Sequence, residues 1–473
     1  MFLSIRAGLY LQKTRNLIDF MMVGIKKPWL FYTPVRFADR IFAAADFFVP
    51  SLSGHRRRKN KGPDFKKGRV KKMGKYDFDK VWERVGRNAI KWDANPLAPR
   101  EMDPKFTPLP MWIADMDFAT APSVVEAMQE RLNHPLFGYY GDPDRYYNAI
   151  FKWQRERFGV TGLTKENIGY ENGVLGGVAA VLHTFTKPGD PILVHSPTYV
   201  GFTGVLKNNE MDIVSSPLKQ DENGVYRMDF ADMEKKIVEK GIRVAIFCNP
   251  HNPTGRVWTK EEISDYIDLM GKHGVTVISD EIWADFMIGE GKKHIPTQSV
   301  SDLAKRITCA FYAPSKTFNL AGLVGSYHVI YRQDLREQIL HTESLSHYNS
   351  HNIMSTYALI GGYEGGAEWV DELCAYIRGN MQYCADYCVR HFHGVKFSVN
   401  EGCYVALMDF GEWLEENGKT MDDVLDDMAR CGVLVSDGRA FHADTHVRIN
   451  FACPRQTVEQ MMDRLDKFVF NKK

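Results

Sequence analysis

The sequence lacks the features that mark a disulfide scaffold, a zinc protein or a membrane span. Its eight cysteines among 473 residues form no CxxC pair and follow no regular spacing, so neither a disulfide framework nor a metal site is predicted. Cys248 and Cys309 lie in apolar, strand-like runs, and we expect reduced thiols in the core of a cytoplasmic protein. The apolar stretch LIDFMMVGI contains Asp19 and is much shorter than the roughly 18 residues of a membrane span.

A large net charge is also absent, since the formal charge is +1. The balance conceals two unlike parts: residues 1–72 hold 17 Lys and Arg against 4 Asp and Glu, a net charge of +13, so the remainder carries −12. We expect residues 1–72 to be a basic extension that is disordered or not translated, with Met73 as the biological start. The alternatives are a nucleic-acid arm, a membrane-surface segment or an organelle-targeting peptide. No helix-turn-helix pattern is present, so no nucleic-acid partner is predicted.

Helical and strand patterns alternate from Asp115 to about Tyr331. The apolar runs that read as strands are DPILVHSP, RVAIFCNP, VTVISDE, RITCAFYAPS and GSYHVIYR. Strands that alternate with helices predict an α/β fold with a mostly parallel sheet covered on both faces. A helical bridge over about 334–392 and a smaller α+β domain are expected to follow.

Polar residues stand where four of the predicted strands end, in the stretches HSPTY, CNPHNPTG, SDEIW and APSK. The carboxyl ends of strands in an open α/β sheet form the ligand-binding edge, so these side chains are expected to converge. Each residue alone has an ordinary structural explanation: Asp280 as a helix cap, Asn252 as a turn residue and Tyr199 as core packing. Lys316 needs more explanation, because a lysine at the end of an apolar strand must pair with an acid, reach the surface or carry a covalent partner.

The motifs NPHNPTG, SDEIW, SKTFNLAG and VRINFACP occur in this order and spacing. Together they resemble the pyridoxal 5′-phosphate (PLP)-dependent class I/II aminotransferase superfamily of fold type I. MWIADMDF (111–118) and FGYYG (137–141) more narrowly resemble the MalY/PatB branch of cystathionine beta-lyases. The resemblance covers the chain from about Tyr76 to its end.

The resemblance implies a large PLP-binding domain over 118–345 with a mostly parallel seven-stranded sheet. It also implies a bridging helix and a small α+β domain over 346–473. Residues 73–117 would form an N-terminal segment that packs with the small domain.

The resemblance also assigns roles around the cofactor. Lys316 would form the Schiff base with PLP and, once substrate displaces it, act as the base that removes the Cα proton. Asp280 would pair with the protonated pyridine nitrogen, Asn252 would donate to the phenolic oxygen, and Tyr199 would stack on the ring.

The phosphate would be held mainly by backbone amides. Gly173, Val174 and Leu175 open an apolar helix whose N-terminal N–H groups suit an anion, and Ser315 would add a hydroxyl. Tyr139, by resemblance, would reach the phosphate of a neighbouring subunit and take part in catalysis, which implies a homodimer with shared sites.

Substrate binding falls to Arg448, which the motif makes a bidentate clamp for the α-carboxylate, and to Ala114 in the MWIADMDF stretch. Two positions depart from the wider family pattern. Trp283 stands where many aminotransferases have a tyrosine that donates to the phenolic oxygen, and Val324 stands where many have a phosphate-binding arginine. Both departures weaken the inference toward ordinary transamination.

The implied activity is that of a PLP-dependent carbon–sulfur β-lyase that cleaves cystathionine or related cysteine S-conjugates to pyruvate, ammonia and a thiol. The motifs themselves are shared with aminotransferases, so an aminotransferase of aromatic or aliphatic amino acids is the alternative. A regulator with a sensing domain behind a basic DNA-binding arm is a second alternative of another class.

Overall fold

The structure, a computed structural model, describes residues 74–141, 143–347 and 350–471, and the statements below refer to these residues. The predictions for residues 1–72 and Met73 lie outside them. The strands are β1 (Leu109–Pro110), β2 (Ile168–Glu171), β3 (Pro191–Ser196), β4 (Asp212–Pro217), β5 (Lys219–Gln220), β6 (Tyr226–Arg227), β7 (Val244–Cys248), β8 (Thr276–Asp280), β9 (Thr308–Tyr312), β10 (Ser326–Val329), β11 (Val405–Asp409), β12 (Val433–Leu434), β13 (Ser436–Asp437) and β14 (His446–Asn450).

The helices follow the amphipathic patterns of the sequence. They are α1 (Ile90–Asp93), α2 (Pro122–Leu132), α3 (Asp144–Phe158), α4 (Val174–Phe185), α5 (Val200–Asn208), α6 (Phe230–Lys240), α7 (Lys260–Lys272), α8 (Asp302–Ile307), α9 (Pro314–Thr317), α10 (Gln333–Ser344), α11 (Ile353–Gly365), α12 (Ala367–His391), α13 (Gly411–Asn417), α14 (Met421–Arg430) and α15 (Arg455–Leu465).

Seven strands form the central sheet in the order β2-β10-β9-β8-β7-β3-β4. The pairs from β9 to β4 are parallel, and β10 alone runs antiparallel to its neighbours β9 and β2. The predicted mostly parallel, seven-stranded sheet is therefore confirmed.

Alternate side chains of the central strands enter two separate cores. Ile246 and Ile278 face helices α4, α5 and α10, whereas Phe247 and Val277 face α6, α7 and α8. Because both faces are covered, the strands are apolar on both sides, as a buried parallel sheet requires. Because β3, β7, β8 and β9 run parallel, the polar residues that follow them leave the sheet at one edge.

A second, three-stranded antiparallel sheet, in the order β11-β14-β13, lies in the C-terminal part of the chain. Strand β14 carries Arg448. Near the N-terminus, β1 pairs in parallel with β12, through Leu109 with Val433 and Pro110 with Leu434. The boundaries predicted at 117 and 345 stay predictions.

The region predicted as a helical bridge, about 334–392, contains the three helices α10, α11 and α12. The Asn352 side chain accepts hydrogen bonds from the amides of Met354 and Ser355 and so begins α11 as a new helix. Gly366 separates α11 from α12, and a Cβ there would stand 2.3 Å from the Phe318 ring. Local capping and close packing therefore divide the bridge.

All eight cysteines lie in the described residues, where each is buried and none forms a disulfide, as predicted. None of the helices in the described ranges is both long and apolar enough to cross a membrane.

Gly177 should control how closely helix α4 approaches the sheet. A Cβ at Gly177 would stand 2.2 Å from Cε1 of Phe311 on β9, so Gly177→Ala should lower the free energy of unfolding by about 1–3 kcal/mol through overpacking. Gly204→Ala is the matched control, because a Cβ there meets nothing within 4 Å and alanine favours a helix by up to about 1 kcal/mol. Urea unfolding of both variants measures the difference, and equal effects would contradict this account of α4 packing.

Candidate active site

A cavity of about 290 Å³ opens at the edge where the parallel strands end. It contains most of the residues predicted for the site and, among the described residues that line it, no histidine or cysteine that would suit a transition metal. The lining residues named in the sequence analysis are Ala114, Gly173, Val174, Leu175, Tyr199, Asn252, Asp280, Trp283, Ser315, Lys316 and Val324.

Lys316 lies in the short helix α9, immediately after β9. Its Nζ donates a hydrogen bond to the carbonyl oxygen of Ala114 at 2.8 Å, and no carboxylate within the described ranges pairs with it. Burial, with a smaller effect of the Arg448 charge, lowers the pKa of Lys316 to about 8. The amine is therefore a nucleophile and base that is partly deprotonated near neutral pH.

Asp280 ends strand β8 and is almost completely buried, with 3 % of its surface exposed. It accepts a hydrogen bond from the amide of Ile282 at 3.0 Å, but no cationic side chain of the described residues forms an ion pair with it. Burial is the main reason that its pKa rises to about 7, and the neighbouring Glu281 charge adds to the rise. A buried carboxyl in this state favours a ligand that brings a positive charge.

Arg448 lies on β14 and is buried next to the cavity. Nη1 donates to Oδ1 of Asn252 at 3.3 Å and Nη2 donates to the carbonyl of Trp112 at 3.2 Å, while its Nε has no partner among the described residues. The guanidinium also lies 4.2 Å from the Phe441 ring centroid. Burial lowers its pKa to about 10. The Arg448 guanidinium makes only two long hydrogen bonds and no ion pair with an acid of the described residues. It is therefore suited to binding a carboxylate ligand.

Three further predicted residues are brought together at the cavity. Asn252 is held by Arg448, as above, and Tyr199 precedes helix α5 with its ring over Gly201, where a Cβ would stand only 2.3 Å from the ring. Trp283 is buried and packs edge-on against Tyr404, with ring centroids 4.7 Å apart. Trp283 stands at the position where many aminotransferases have a tyrosine, and its indole has no hydroxyl that could donate to a phenolic oxygen.

The predicted phosphate-binding residues lie at the start of helix α4, and their role stays a prediction. Gly173 has φ = +90°, and the intrahelical hydrogen bonds of α4 begin only at the amides of Gly176 and Gly177, so the amides of Val174 and Leu175 face the cavity side without helical partners. Val324 adopts a left-handed φ of +60° and is half-exposed. Lys316 is the one cationic side chain among the described residues of the lining, so no arginine replaces the one missing at 324.

Arg448 contacts the cavity lining through Asn252 without being part of that lining. Tyr139 does not line the cavity either. It is fully exposed, and it follows Leu136 and Phe137, which are 68 % and 54 % exposed. Its predicted role in a neighbouring subunit's site stays a prediction.

The sequence analysis named Ala114 for substrate binding, but it did not predict the hydrogen bonds of the backbone of residues 112–116. Besides the bonds of Arg448 and Lys316, the carbonyls of Ile113 and Asp115 accept from Asn450 Nδ2 at 2.7 and 2.8 Å. Asn319 Nδ2 donates to the carbonyl of Met116 at 3.0 Å. The segment is therefore fixed from the large sheet side by Asn319 and from β14 by Asn450.

Two basic side chains lock the same segment through its aspartates. Lys91 is fully buried, and its Nζ lies 2.7 Å from Oδ2 of Asp117 and 2.8 Å from the carbonyl of Asp115. Arg84 binds Asp115 at 2.7 Å and Asp117 at 2.9 Å, and Trp92 Nε1 donates to Asp117. Sequence reasoning missed Arg84 and Lys91, although the run of acids in ADMDF and the lysine in KWD were signals of a charge pair.

The lining residues fit the predicted cofactor PLP. A buried amine of lowered pKa at Lys316 suits its aldehyde, the uncompensated Asp280 suits a pyridinium nitrogen, and the unpartnered amides of Val174 and Leu175 suit a phosphate. Glycine at position 173 permits the backbone φ of +90° from which these amides follow.

Comparisons with known proteins agree with this geometry. The family model described as aminotransferase class I and II matches residues 110–465. Cystathionine beta-lyase PatB of Bacillus subtilis is 32 % identical over 82 % of this chain and 98 % of its own length. Protein MalY of Escherichia coli is 29 % identical over 81 % of this chain and 96 % of its own. The crystal structure of the PLP-bound C-S lyase from Staphylococcus hominis is 30 % identical, with a TM-score of 0.75, over 83 % of this chain and 98 % of that one.

Breaking the buried pair at Lys91 should damage the segment that faces the site. Lys91→Met leaves the Asp117 carboxylate buried with less compensation, so the free energy of unfolding should fall by about 3–5 kcal/mol. Lys75→Met is the matched control, since Lys75 pairs with Glu368 at the surface, where both side chains are about 60 % exposed, and should change stability little. Denaturant unfolding compares the two, and a stable Lys91→Met variant would show that the pair does not fix the segment.

Proposed function

The chain belongs to the class I and II aminotransferase family, and we propose that it acts as a PLP-dependent carbon–sulfur β-lyase. Its substrates are cystathionine and related cysteine S-conjugates, which it splits to pyruvate, ammonia and a thiol. The observation that carries the proposal is a pair of buried cations without carboxylate ion-pair partners in the described residues. Lys316 lines the cavity near Asp280, and Arg448 contacts the lining through Asn252.

Residues of the cavity would hold the cofactor in the roles that the sequence predicts. Lys316 would hold it covalently, Asp280 would hold its ring nitrogen, Asn252 its phenolic oxygen and Tyr199 its ring face. The amides of Val174 and Leu175 and the hydroxyl of Ser315 would hold its phosphate. When bound, PLP withdraws electrons from the substrate's Cα and so makes its proton removable.

The substrate's α-carboxylate would replace the weak partners of Arg448. Its guanidinium now makes bonds of 3.3 and 3.2 Å to an amide oxygen and a backbone carbonyl, and a carboxylate offers stronger, charge-assisted bonds. Phe441 covers one face of the guanidinium, which fixes its plane. The bound amino acid is thereby oriented with its Cα toward Lys316.

Lys316 would take the Cα proton at Nζ. Its lowered pKa of about 8 leaves part of the amine unprotonated at neutral pH, as a general base requires. The Cβ–S bond then breaks with the electron pair on sulfur, and the thiolate takes a proton to leave as a thiol. Hydrolysis of the three-carbon remainder yields pyruvate and ammonia; cystathionine gives homocysteine as the thiol.

Elimination is favoured over transamination by several relatives that match most of this chain and are named as cystathionine β-lyases or a C-S lyase. Trp283 also removes the hydroxyl that many aminotransferases place beside the phenolic oxygen. The alternative of a DNA-binding regulator depends on residues 1–72, which lie outside the described residues.

We also propose a homodimer with shared sites, in the cytoplasm. The apolar, exposed side chains of Leu136, Phe137 and Tyr139 support it, since a loop that exposes three large apolar residues suits a second copy of the chain. Eight cysteines without a disulfide support a reducing compartment.

Incubation with L-cystathionine and no keto acid tests the activity. Pyruvate and homocysteine should form in equal amounts over many turnovers, because elimination regenerates the starting enzyme, whereas transamination without a keto acid stops after one turnover. Pyruvate by coupled reduction and thiol by a chromogenic disulfide measure the two products. Lys316→Ala is the control and should form neither product; one-turnover kinetics without pyruvate would instead assign an aminotransferase.

Subunit mixing tests the shared site. Lys316→Ala and Tyr139→Ala should each be strongly impaired alone, because each lacks a residue of every site. After unfolding and refolding a 1:1 mixture, hybrid dimers contain one intact site if Tyr139 acts in the partner's site, so about a quarter of the wild-type activity should return. Recovery of no activity, with dimers verified by sedimentation, would place Tyr139 outside the partner's site.

A further inference from the structure

The carbonyl oxygen of Ala114 accepts two hydrogen bonds from side chains that come from different parts of the chain. Lys316 Nζ donates at 2.8 Å, and the hydroxyl of Tyr404 donates at 3.1 Å. Tyr404 does not line the cavity, and the mechanism above does not use it. Its contact with the oxygen that holds the catalytic amine connects it to that amine.

Ala114 O is the acceptor that this backbone segment leaves to Lys316. The neighbouring carbonyls are already used by other donors: that of Trp112 by Arg448 and Ser436, that of Ile113 by Asn450, that of Asp115 by Lys91 and Asn450, and that of Met116 by Arg84 and Asn319. The strength of the hydrogen bond between Lys316 Nζ and the Ala114 carbonyl therefore depends on whether a second donor shares that oxygen.

Tyr404 is held firmly enough to keep this contact. Its ring is 1 % exposed and packs edge-on against Trp283 and Phe286, with centroids 4.7 and 4.8 Å away. Cys403, just before it, adopts a left-handed φ of +66°, which is costly for a residue with a Cβ. The amide of Cys403 donates to the carbonyl of Phe286 at 3.2 Å, and this unusual turn aims the tyrosine at Ala114.

We propose that Tyr404 is a positioning residue that shares the Ala114 carbonyl with Lys316 and so sets where the free amine lies and how weakly it holds a proton. The inference rests on the proposed function, in which Lys316 acts as the base. Two donors on one oxygen draw on the same electron density, so each bond is weaker than it would be alone. The bond to an ammonium is charge-assisted and loses more from this competition than the bond to a neutral amine. The hydroxyl of Tyr404 therefore favours the unprotonated form of Lys316.

Other charged groups that face the amine act in both directions. Arg448 lowers the pKa of Lys316, and Asp115 and Asp280 raise it, against a larger lowering by burial. Around Tyr404, burial raises the phenol pKa far above its usual value; the Asp115, Cys403 and Tyr199 groups add to this, and Arg448 opposes it. Tyr404 thus stays a protonated donor at every pH at which Lys316 titrates.

The test is the titration of Lys316 in the full chain after removal of PLP, so that the amine itself is measured. The rate of acetylation of Lys316 by acetic anhydride, followed by peptide mass spectrometry from pH 6 to 10, reports the fraction of free amine. Tyr404→Phe removes one donor from Ala114 O, so the apparent pKa of Lys316 should rise by about 0.5–1 unit, which corresponds to about 3- to 10-fold slower acetylation at pH 7. The acid limb of kcat/KM in the holoenzyme should shift to higher pH in the same sense.

Tyr266→Phe is the matched control. Tyr266 is buried on α7, and its hydroxyl has no hydrogen-bond partner among the described residues, so its loss should leave the titration unchanged. An unchanged or lowered pKa in Tyr404→Phe, or an equal rise in both variants, would overturn the inference while the lyase assay with cystathionine stands. A rise in Tyr404→Phe alone, with no pyruvate from the wild-type enzyme, would support Tyr404 and reject the lyase instead.

Discussion

The site depends on cations that are buried against backbone carbonyls instead of carboxylates. Lys316 donates to the carbonyl of Ala114 and Arg448 to that of Trp112. A carboxylate partner would have neutralised each charge and held each pKa high. A carbonyl gives a hydrogen bond without a full charge, so burial keeps the pKa of Lys316 at about 8 and that of Arg448 at about 10. Neither the Lys316 amine nor the Arg448 guanidinium is neutralised by an acid, so each can interact with a ligand.

This arrangement requires a backbone segment that cannot move, and much of the surrounding structure serves that requirement. Lys91 and Arg84 bind Asp115 and Asp117, which follow Ala114, while Asn319 and Asn450 bind its neighbouring carbonyls. The acids of the segment form these ion pairs and make no ion pair with the Lys316 amine. The same ion pairs therefore fix the geometry of the site and leave its two cations without acids.

The sequence allowed the α/β fold, the parallel sheet and most of the cavity lining to be predicted, because these follow from local patterns. Apolar runs that end in polar residues place Asp280 and Lys316 at one edge of a sheet wherever the strands are parallel. The contact of Tyr404 could not be predicted in this way, since its partner is a backbone carbonyl 290 positions away. Every residue has a backbone carbonyl, so the residue type at position 114 does not reveal the contact. The break of the predicted bridge at Gly366 likewise depends on a contact with Phe318 that only the folded chain reveals.

The shifted pKa values of Asp280, Lys316 and Arg448 also make the free energy of unfolding depend on pH. Asp280 has a folded-state pKa of about 7, well above its ordinary value near 4, so it binds a proton more tightly in the folded chain than in the unfolded chain. Its contribution to stability is therefore present below pH 4 and is lost as the pH rises through 7. For Lys316 and Arg448 burial lowers the folded-state pKa instead. Their contribution to stability is therefore present at high pH and is lost as the pH falls through about 10 for Arg448 and about 8 for Lys316. At neutral pH all three groups oppose folding, and ligand charges of the opposite sign, a ring nitrogen at Asp280 and a carboxylate at Arg448, would relieve part of that cost. Ligands of opposite charge would thus bind more tightly because of the same burial that lowers the pKa of Lys316.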